Sequence, residues 1–331
     1  MHDGDGDFGT HSSNLSPVAR DVLTESPDAP VSGTRVVHPG ASRALWGSLR
    51  TRQWVKNLLV FVAPAAAGKL GHLGAVGHAA AAFGVFSAAA SGVYLFNDVF
   101  DAEADRHHPD KRHRPVAAGL IEVAPALGVG SVLVLGALVG SWFVAGWRLT
   151  VVMALYVAIS AAYSAWMKDV AVVELASVAS GFVLRAIAGG VATHTPLSEW
   201  FLAVTSFVAM FIVTGKRVAE HRALGEGKAA HRRVLGEYTA TFLQSTLTLT
   251  ATAAVTTYCL WAFDRTGLAH PTHLVLWTEL TVVPFVVGVL YVLRVLDAGG
   301  GATPEDLALG DRRLQVLGAL WLLCFLVGIY A

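Results

Sequence analysis

The chain has 331 residues, of which 54% are hydrophobic and 15% charged, with 24 basic residues against 24 acidic ones. So much apolar surface excludes an ordinary soluble domain and implies a membrane protein, while a formal net charge of zero leaves no whole-molecule field to attract nucleic acid. Cys259 and Cys324 lie far apart in apolar runs, which excludes a disulfide framework and a cysteine metal site; both read as core residues.

In chain order, residues 1–42 carry Asp, Gly, Ser, Pro and His without apolar periodicity and read as a disordered tail with no signal peptide. Residues 43–331 read as a single all-α domain of about nine transmembrane helices, predicted at 55–70, 79–97, 123–144, 149–166, 170–192, 199–215, 240–262, 276–295 and 314–330. The first span contains Lys56 and Asn57, polar where a lipid-facing helix would be apolar, so it is expected to line a polar cavity. Gln53, Lys56 and Asn57 are candidate ligands there. Runs of Ala, Gly, Ser and Thr, as in 79–91 and 246–257, let helices approach closely and predict a packed bundle.

With nine spans, 20 of the Lys and Arg residues fall on one side of the membrane, and only Lys69, Arg148 and Arg265 on the other. Basic loops stay in the cytoplasm, so the amino terminus is expected inside and the carboxyl terminus outside a plasma membrane.

The run Asn97-Asp98-Val99-Phe100-Asp101-Ala102-Glu103-Ala104-Asp105 follows the second span on the cytoplasmic side. On a continuing helix Asn97, Asp101 and Asp105 share a face, with Asp98 at its flank. Carboxylates crowded in this way repel unless a cation lies between them, and oxygen ligands of this kind suit Mg²⁺ shared with substrate phosphates. Lys111, Arg112 and Arg114 follow at once, so metal and diphosphate ligands are expected together; a solvated acidic helix end is the plain alternative. The pattern N-D-x-x-D-x-x-x-D followed by K-R-x-R-P resembles the first signature of the UbiA superfamily of intramembrane prenyltransferases. That resemblance covers roughly residues 43–331 and implies helices around a cavity open sideways to lipid.

Prenyl-transferring members carry a second aspartate motif, D-x-x-x-D, after the sixth span. Here the segment reads Gly215-Lys216-Arg217-Val218-Ala219-Glu220-His221-Arg222, so a second wholly carboxylate face is missing. Lys216 and Arg217 are expected to bind phosphate directly, and Glu220 to meet a ribose hydroxyl or orient those cations. Arg222, Lys228, Arg232 and Arg233 read as flanking charge. This departure, with Arg50–Asn57 and Ser180–Gly190, most resembles the branch of the superfamily that transfers phosphoribose to decaprenyl phosphate. The branch implies phosphoribosyl pyrophosphate as donor, polyprenyl phosphate as acceptor, Mg²⁺ as cofactor, a membrane lipid setting and a role in arabinan assembly. A homo-oligomer is compatible with it.

Arg185 lies mid-span, where an unpaired charge costs at least about 2.5 kcal/mol, so it is expected to face the cavity with an anionic partner. Lys168 is a phosphate ligand or an interfacial charge, and Tyr163 a site residue or an interfacial anchor. His107, His108 and His113 have no matched second ligands, His270 and His273 are expected on the opposite membrane side, and Gly299–Gly301 lacks a nucleotide-loop context. Two other functions compete: prenyl transfer from a diphosphate to an aromatic or other small acceptor, and secondary transport, which would place coupling groups near midplane rather than at one end.

Overall fold

The leading segment of the domain, Thr51–Phe61, is a 3₁₀ helix of 11 residues, long for that form. Three residues per turn place Trp54, Asn57 and Val60 in one row. Trp54 donates to Ser91 and Asn57 to Ser87, and Val60 is fully buried. Gln53, Lys56 and Leu59 form the next row. The computed structural model describes residues 46–107, 111–223, 233–264, 272–299, 307 and 310–330. The expected tail 1–42, His108, Asp110, Lys228, Arg232, Arg265, His270 and Gly300–Gly301 lie outside the described residues.

The helices are α1 Val62–Ala66, α2 Leu73–Phe100, α3 Ala102–Arg106, α4 Val123–Ala165, α5 Val173–Ala192, α6 Glu199–Ala223, α7 Arg233–Glu237, α8 Ala240–Asp264, α9 Thr272–Leu280, α10 Val282–Asp297 and α11 Arg312–Tyr330. No strand occurs among the described residues. Among the described residues, seven stretches are long and apolar enough to cross a membrane: α2, α4, α5, α6, α8, Leu276–Asp297 and α11. The chain is thus a multi-pass membrane protein, but it does not show nine such helices. The two expected spans 123–144 and 149–166 correspond to the two arms of α4 on either side of its break, and the 55–70 span is not among the seven.

Straight, the 43 residues of α4 would cover about 65 Å, twice the roughly 30 Å of a hydrocarbon core. The helix instead breaks at Ala145 (φ −150°) and Gly146 (φ 68°, ψ −162°), and the second of these conformations is essentially restricted to glycine. Neighbours on α2 give the direction of each half. Gly130 lies against Leu95 and Phe96, and Gly140 against Val85, so the first half runs antiparallel to α2. Phe86 meets Tyr156 and Asn97 meets Ser164, so the second half runs parallel to it. The chain therefore reverses at Gly146.

Helix α5 sits between two cores. Leu184, Ala188 and Ala192 join Phe86 and Ala89 of α2 with Leu149 and Met153 of α4. Leu175 and Ala179 join Phe211 of α6, Leu243 and Leu247 of α8, and Val289 of α10. The leading segment docks on α5 at Gly189, where a Cβ would stand 1.8 Å from the Val60 carbonyl oxygen. Helix α11 returns to the same region: Tyr330 Oη donates to the Ala65 carbonyl and Ile329 lies against Gly68. Outward residues such as Val132, Leu135, Val139 and Phe143 are exposed, as lipid-facing positions should be.

Gly146→Ala should lower thermal stability in detergent by about 1–3 kcal/mol, because the cost is backbone strain rather than lack of space. Gly136→Ala, in a helix with open space around the new methyl, should leave the unfolding temperature close to that of the parent.

Candidate active site

The acidic motif lies where α2 gives way to α3. Asp101 leaves helical geometry (φ −91°, ψ 1°), yet its N–H still bonds the Asn97 carbonyl at 2.9 Å and its own carbonyl accepts from Asp105 N–H at 2.8 Å. The two helices therefore keep nearly one axis. Asn97, Asp101 and Asp105 do not act as one face. A seven-residue step returns to within about 20° of its start, whereas eight residues overshoot by about 80°, so Asp98 and Asp105 are the true neighbours. Both are buried and both meet Arg114, at 3.5 and 2.6 Å. Asp98 also accepts from Arg50 at 2.5 Å, and Arg50 in turn lies over the Tyr94 ring. Asp101 points elsewhere, to Lys168 Nζ at 3.0 Å, and Asn97 Oδ1 accepts from Ser164 at 2.6 Å.

Among the described residues no group of three or more His, Cys, Asp or Glu is arranged to hold a metal ion. The donor set nevertheless fits Mg²⁺, which takes oxygen ligands, usually one or two carboxylates completed by water and substrate phosphates. Asp101 is the accessible donor: its side chain is 36% exposed and that of Lys168 31%, so their ion pair is of the weak, exchangeable kind. Of the basic residues that follow, Arg114 is held in the site, whereas Arg112 is exposed against His113 and Lys111 is half-buried in a short 3₁₀ turn.

The second cluster differs from expectation. Arg217 is buried, and its fork is committed to a carboxylate that the sequence reading did not single out: Nε donates to Glu174 Oε1 at 2.8 Å and Nη2 to Glu174 Oε2 at 3.0 Å. Its Nη1 donates to Glu220. A buried guanidinium needs a buried anion, and the Arg217 fork is filled by carboxylates of this chain rather than turned outward. Glu220 thus touches one of the two cations it was expected to accompany. Lys216 adjoins the pair and is half-buried, and Tyr163, near the end of α4, is an electrostatic neighbour of Arg217. Glu174 is completely buried and also accepts from Tyr238 Oη at 3.4 Å. Burial pushes the Tyr238 phenol up to about 12, which keeps it a neutral donor.

Arg185 is buried, but its partners are neutral. It donates to Asn57 Oδ1 at 2.7 Å, the Gly181 carbonyl at 2.6 Å and Tyr156 Oη at 3.0 Å, and stacks over Tyr156 and Phe86. Among the described residues no anionic partner meets Arg185, and ring faces and dipoles supply the compensation. Asn57, likewise fully buried, belongs to this structural network. Lys56 reaches a different place, the wall of an apolar cavity of about 640 Å³ lined by Phe182, Phe201, Trp261, Phe285 and Trp321, where it is the one charged lining residue among the described residues. Gln53 is half-buried one 3₁₀ turn before it.

Arg50, Ser164, Tyr156, Glu174 and Tyr238 were not among the sequence candidates. Glu174 did leave a signal, since an acidic residue inside a predicted span needs a partner. The contacts of Ser164 and Tyr238 reach across 67 and 66 residues and leave none.

A helical membrane bundle that carries a paired acidic motif at the end of α2 and encloses an apolar cavity fits a membrane enzyme of the UbiA type. The model of the UbiA prenyltransferase family matches residues 58–329, and the chain belongs to that family. It is 42% identical over 309 residues to the decaprenyl-phosphate phosphoribosyltransferase of Mycobacterium tuberculosis, covering 92% of this chain and 97% of that one. The Corynebacterium glutamicum protein of the same name is 41% identical over 287 residues, 86% of each chain. Among solved structures, a UbiA homolog from Archaeoglobus fulgidus bound to GPP and Mg²⁺ superposes with a TM-score of 0.64 at 16% identity, over 86% of this chain and 98% of that one. That likeness bears on the fold.

Asp98→Asn should destabilise the protein by on the order of 2 kcal/mol, less than the ~3–5 kcal/mol of a fully buried pair, because Arg50 and Arg114 both reach solvent. Asp101→Asn should change stability by less than ~1 kcal/mol. Thermal unfolding of the two variants in one detergent checks the ranking.

Proposed function

We propose that the protein is a Mg²⁺-dependent pentosyltransferase that moves 5-phosphoribose from phosphoribosyl pyrophosphate to polyprenyl phosphate, decaprenyl phosphate by its relatives' names, and releases pyrophosphate. The observation that carries this reading is the replacement of a second carboxylate motif by Lys216-Arg217-x-x-Glu220, in a chain 42% identical to relatives of that name over nearly its whole length. A donor with a 5-phosphate as well as a diphosphate brings more negative charge and calls for more cations.

Asn97, Asp98, Asp101 and Asp105 would hold the metal, which when bound supplies Lewis acidity and neutralises charge on the leaving group. Arg50 and Arg114 fix Asp98 and Asp105. Lys168 and Arg114, which meet the acidic motif, and Lys111, which follows it, offset the charge of the departing pyrophosphate. Lys216 is assigned to the 5-phosphate. Lys56, a charge on the wall of the apolar cavity, is assigned to the acceptor phosphate, with the isoprenoid chain in that cavity. The acceptor phosphate is already ionised at neutral pH, so attack on ribose C1 requires no protein base.

We place the site on the cytoplasmic face of a plasma membrane, with the amino terminus inside and residues 1–42 a separate tail, because the basic loops gather on that side. The product would then serve cell-wall arabinan synthesis. One observation favours a second reading, prenyl transfer: the apolar cavity would equally take the chain of a prenyl diphosphate.

Purified enzyme given Mg²⁺, polyprenyl phosphate and radiolabelled phosphoribosyl pyrophosphate should yield a lipid-extractable phosphoribose adduct. Product only from a prenyl diphosphate with an aromatic acceptor would establish the second reading instead.

A further inference from the structure

We propose that Glu174 is a positioning residue for the transfer reaction: through Arg217 it sets the register of Lys216 and Glu220 against the acidic motif. The proposal rests on the phosphoribosyl-transfer reading above. Its physical basis is the short connection between α4 and α5. Within seven residues this connection carries Lys168, bound to Asp101 at 3.0 Å, and Glu174, bound to Arg217 through both carboxylate oxygens at 2.8 and 3.0 Å. A single segment thus ties the acidic motif to the cationic one.

The connection is held rigidly. Val172 has φ 68° and ψ −46°, a conformation in which a β-branched residue is a rare outlier. Such a backbone persists only where its surroundings over-determine it. Here Val172 N–H donates to Tyr238 Oη at 2.8 Å, and the same hydroxyl donates to Glu174 at 3.4 Å. Tyr238 is itself fixed, its ring stacked on Phe242 and its carbonyl in contact with His221 Nε2 at 3.0 Å.

A planar guanidinium held at two nitrogens by one carboxylate has little freedom to rotate, so the pair fixes both the height and the rotation of α6 against α5. Lys216, one residue before Arg217, and Glu220, three after it, inherit that rotation. Buried ion pairs of this kind are often replaceable by neutral residues at no loss of stability. A purely structural Glu174 should therefore be dispensable once Arg217 is neutralised with it, and a positioning Glu174 should not.

The test uses the full-length enzyme in detergent, with Mg²⁺, polyprenyl phosphate and varied phosphoribosyl pyrophosphate. Glu174→Gln should lower the unfolding temperature and raise the donor KM about 10-fold, the scale on which supporting partners act, with a smaller change in kcat. Glu174→Asp, which keeps the charge, should recover part of that KM. The double variant Glu174→Gln/Arg217→Met should regain the unfolding temperature while the KM stays raised. A parental donor KM in Glu174→Gln, or recovery of KM and unfolding temperature together in the double variant, overturns the proposal. If the double variant does not fold, Glu174→Asp decides: a raised KM upholds the proposal and a parental one overturns it. A parent enzyme that makes no lipid-linked phosphoribose defeats the transfer reading itself, and the proposal with it.

Discussion

A carboxylate taken out of water must meet a cation, and the polar end of this bundle is organised by that requirement. Asp98 is met by Arg50 and Arg114, Asp105 by Arg114, Asp101 by Lys168 and Glu174 by Arg217. Arg114 comes from the connection just after its anions, and the other three cations come from distant parts of the chain. The pairs therefore join the start of the leading 3₁₀ helix to α2, the connection after α3 to both acidic residues beside it, the connection before α5 to the acidic motif, and α5 to α6. Where such pairs are buried they add little net stability, but they fix relative position, which a site for a polyanionic substrate needs.

The rest of the fold serves to hold these elements at the right separation. Gly189 lets the leading segment lie directly on α5, and Gly146 lets α4 turn back so that Ser164 and Tyr163 come to rest between the two charged clusters. Away from this end the bundle turns apolar, and Lys56 marks the transition on the cavity wall. Charge at one end and a greasy cavity beyond it is what a reaction between a water-soluble phosphate ester and a lipid phosphate demands.

Much of this was legible in the sequence. Composition gives an all-helical membrane bundle, and the run Asn97–Asp105 with Arg114 marks the polar end, because those residues lie within one local stretch. Three things were not legible. Asp105 was grouped with Asn97 and Asp101, whereas Asp98, seven residues earlier, is the neighbour that shares Arg114 with it. Arg217 looked like an open phosphate ligand because its partner, Glu174, stands 43 residues earlier, and pairing over that distance depends on how α5 and α6 pack. Arg185 was expected to seek an anion, but Asn57 and Tyr156, brought in from other elements, satisfy it without one.

The central claim, that a divalent metal joins the acidic motif to the donor's diphosphate, is tested most directly by electron–nuclear double resonance with Mn²⁺ in place of Mg²⁺. In the presence of phosphoribosyl pyrophosphate, bound Mn²⁺ should show ³¹P coupling, and Asp101→Asn should abolish that signal while leaving the protein folded. Mn²⁺ without ³¹P coupling in the parent enzyme, or an unchanged signal in Asp101→Asn, would contradict the claim.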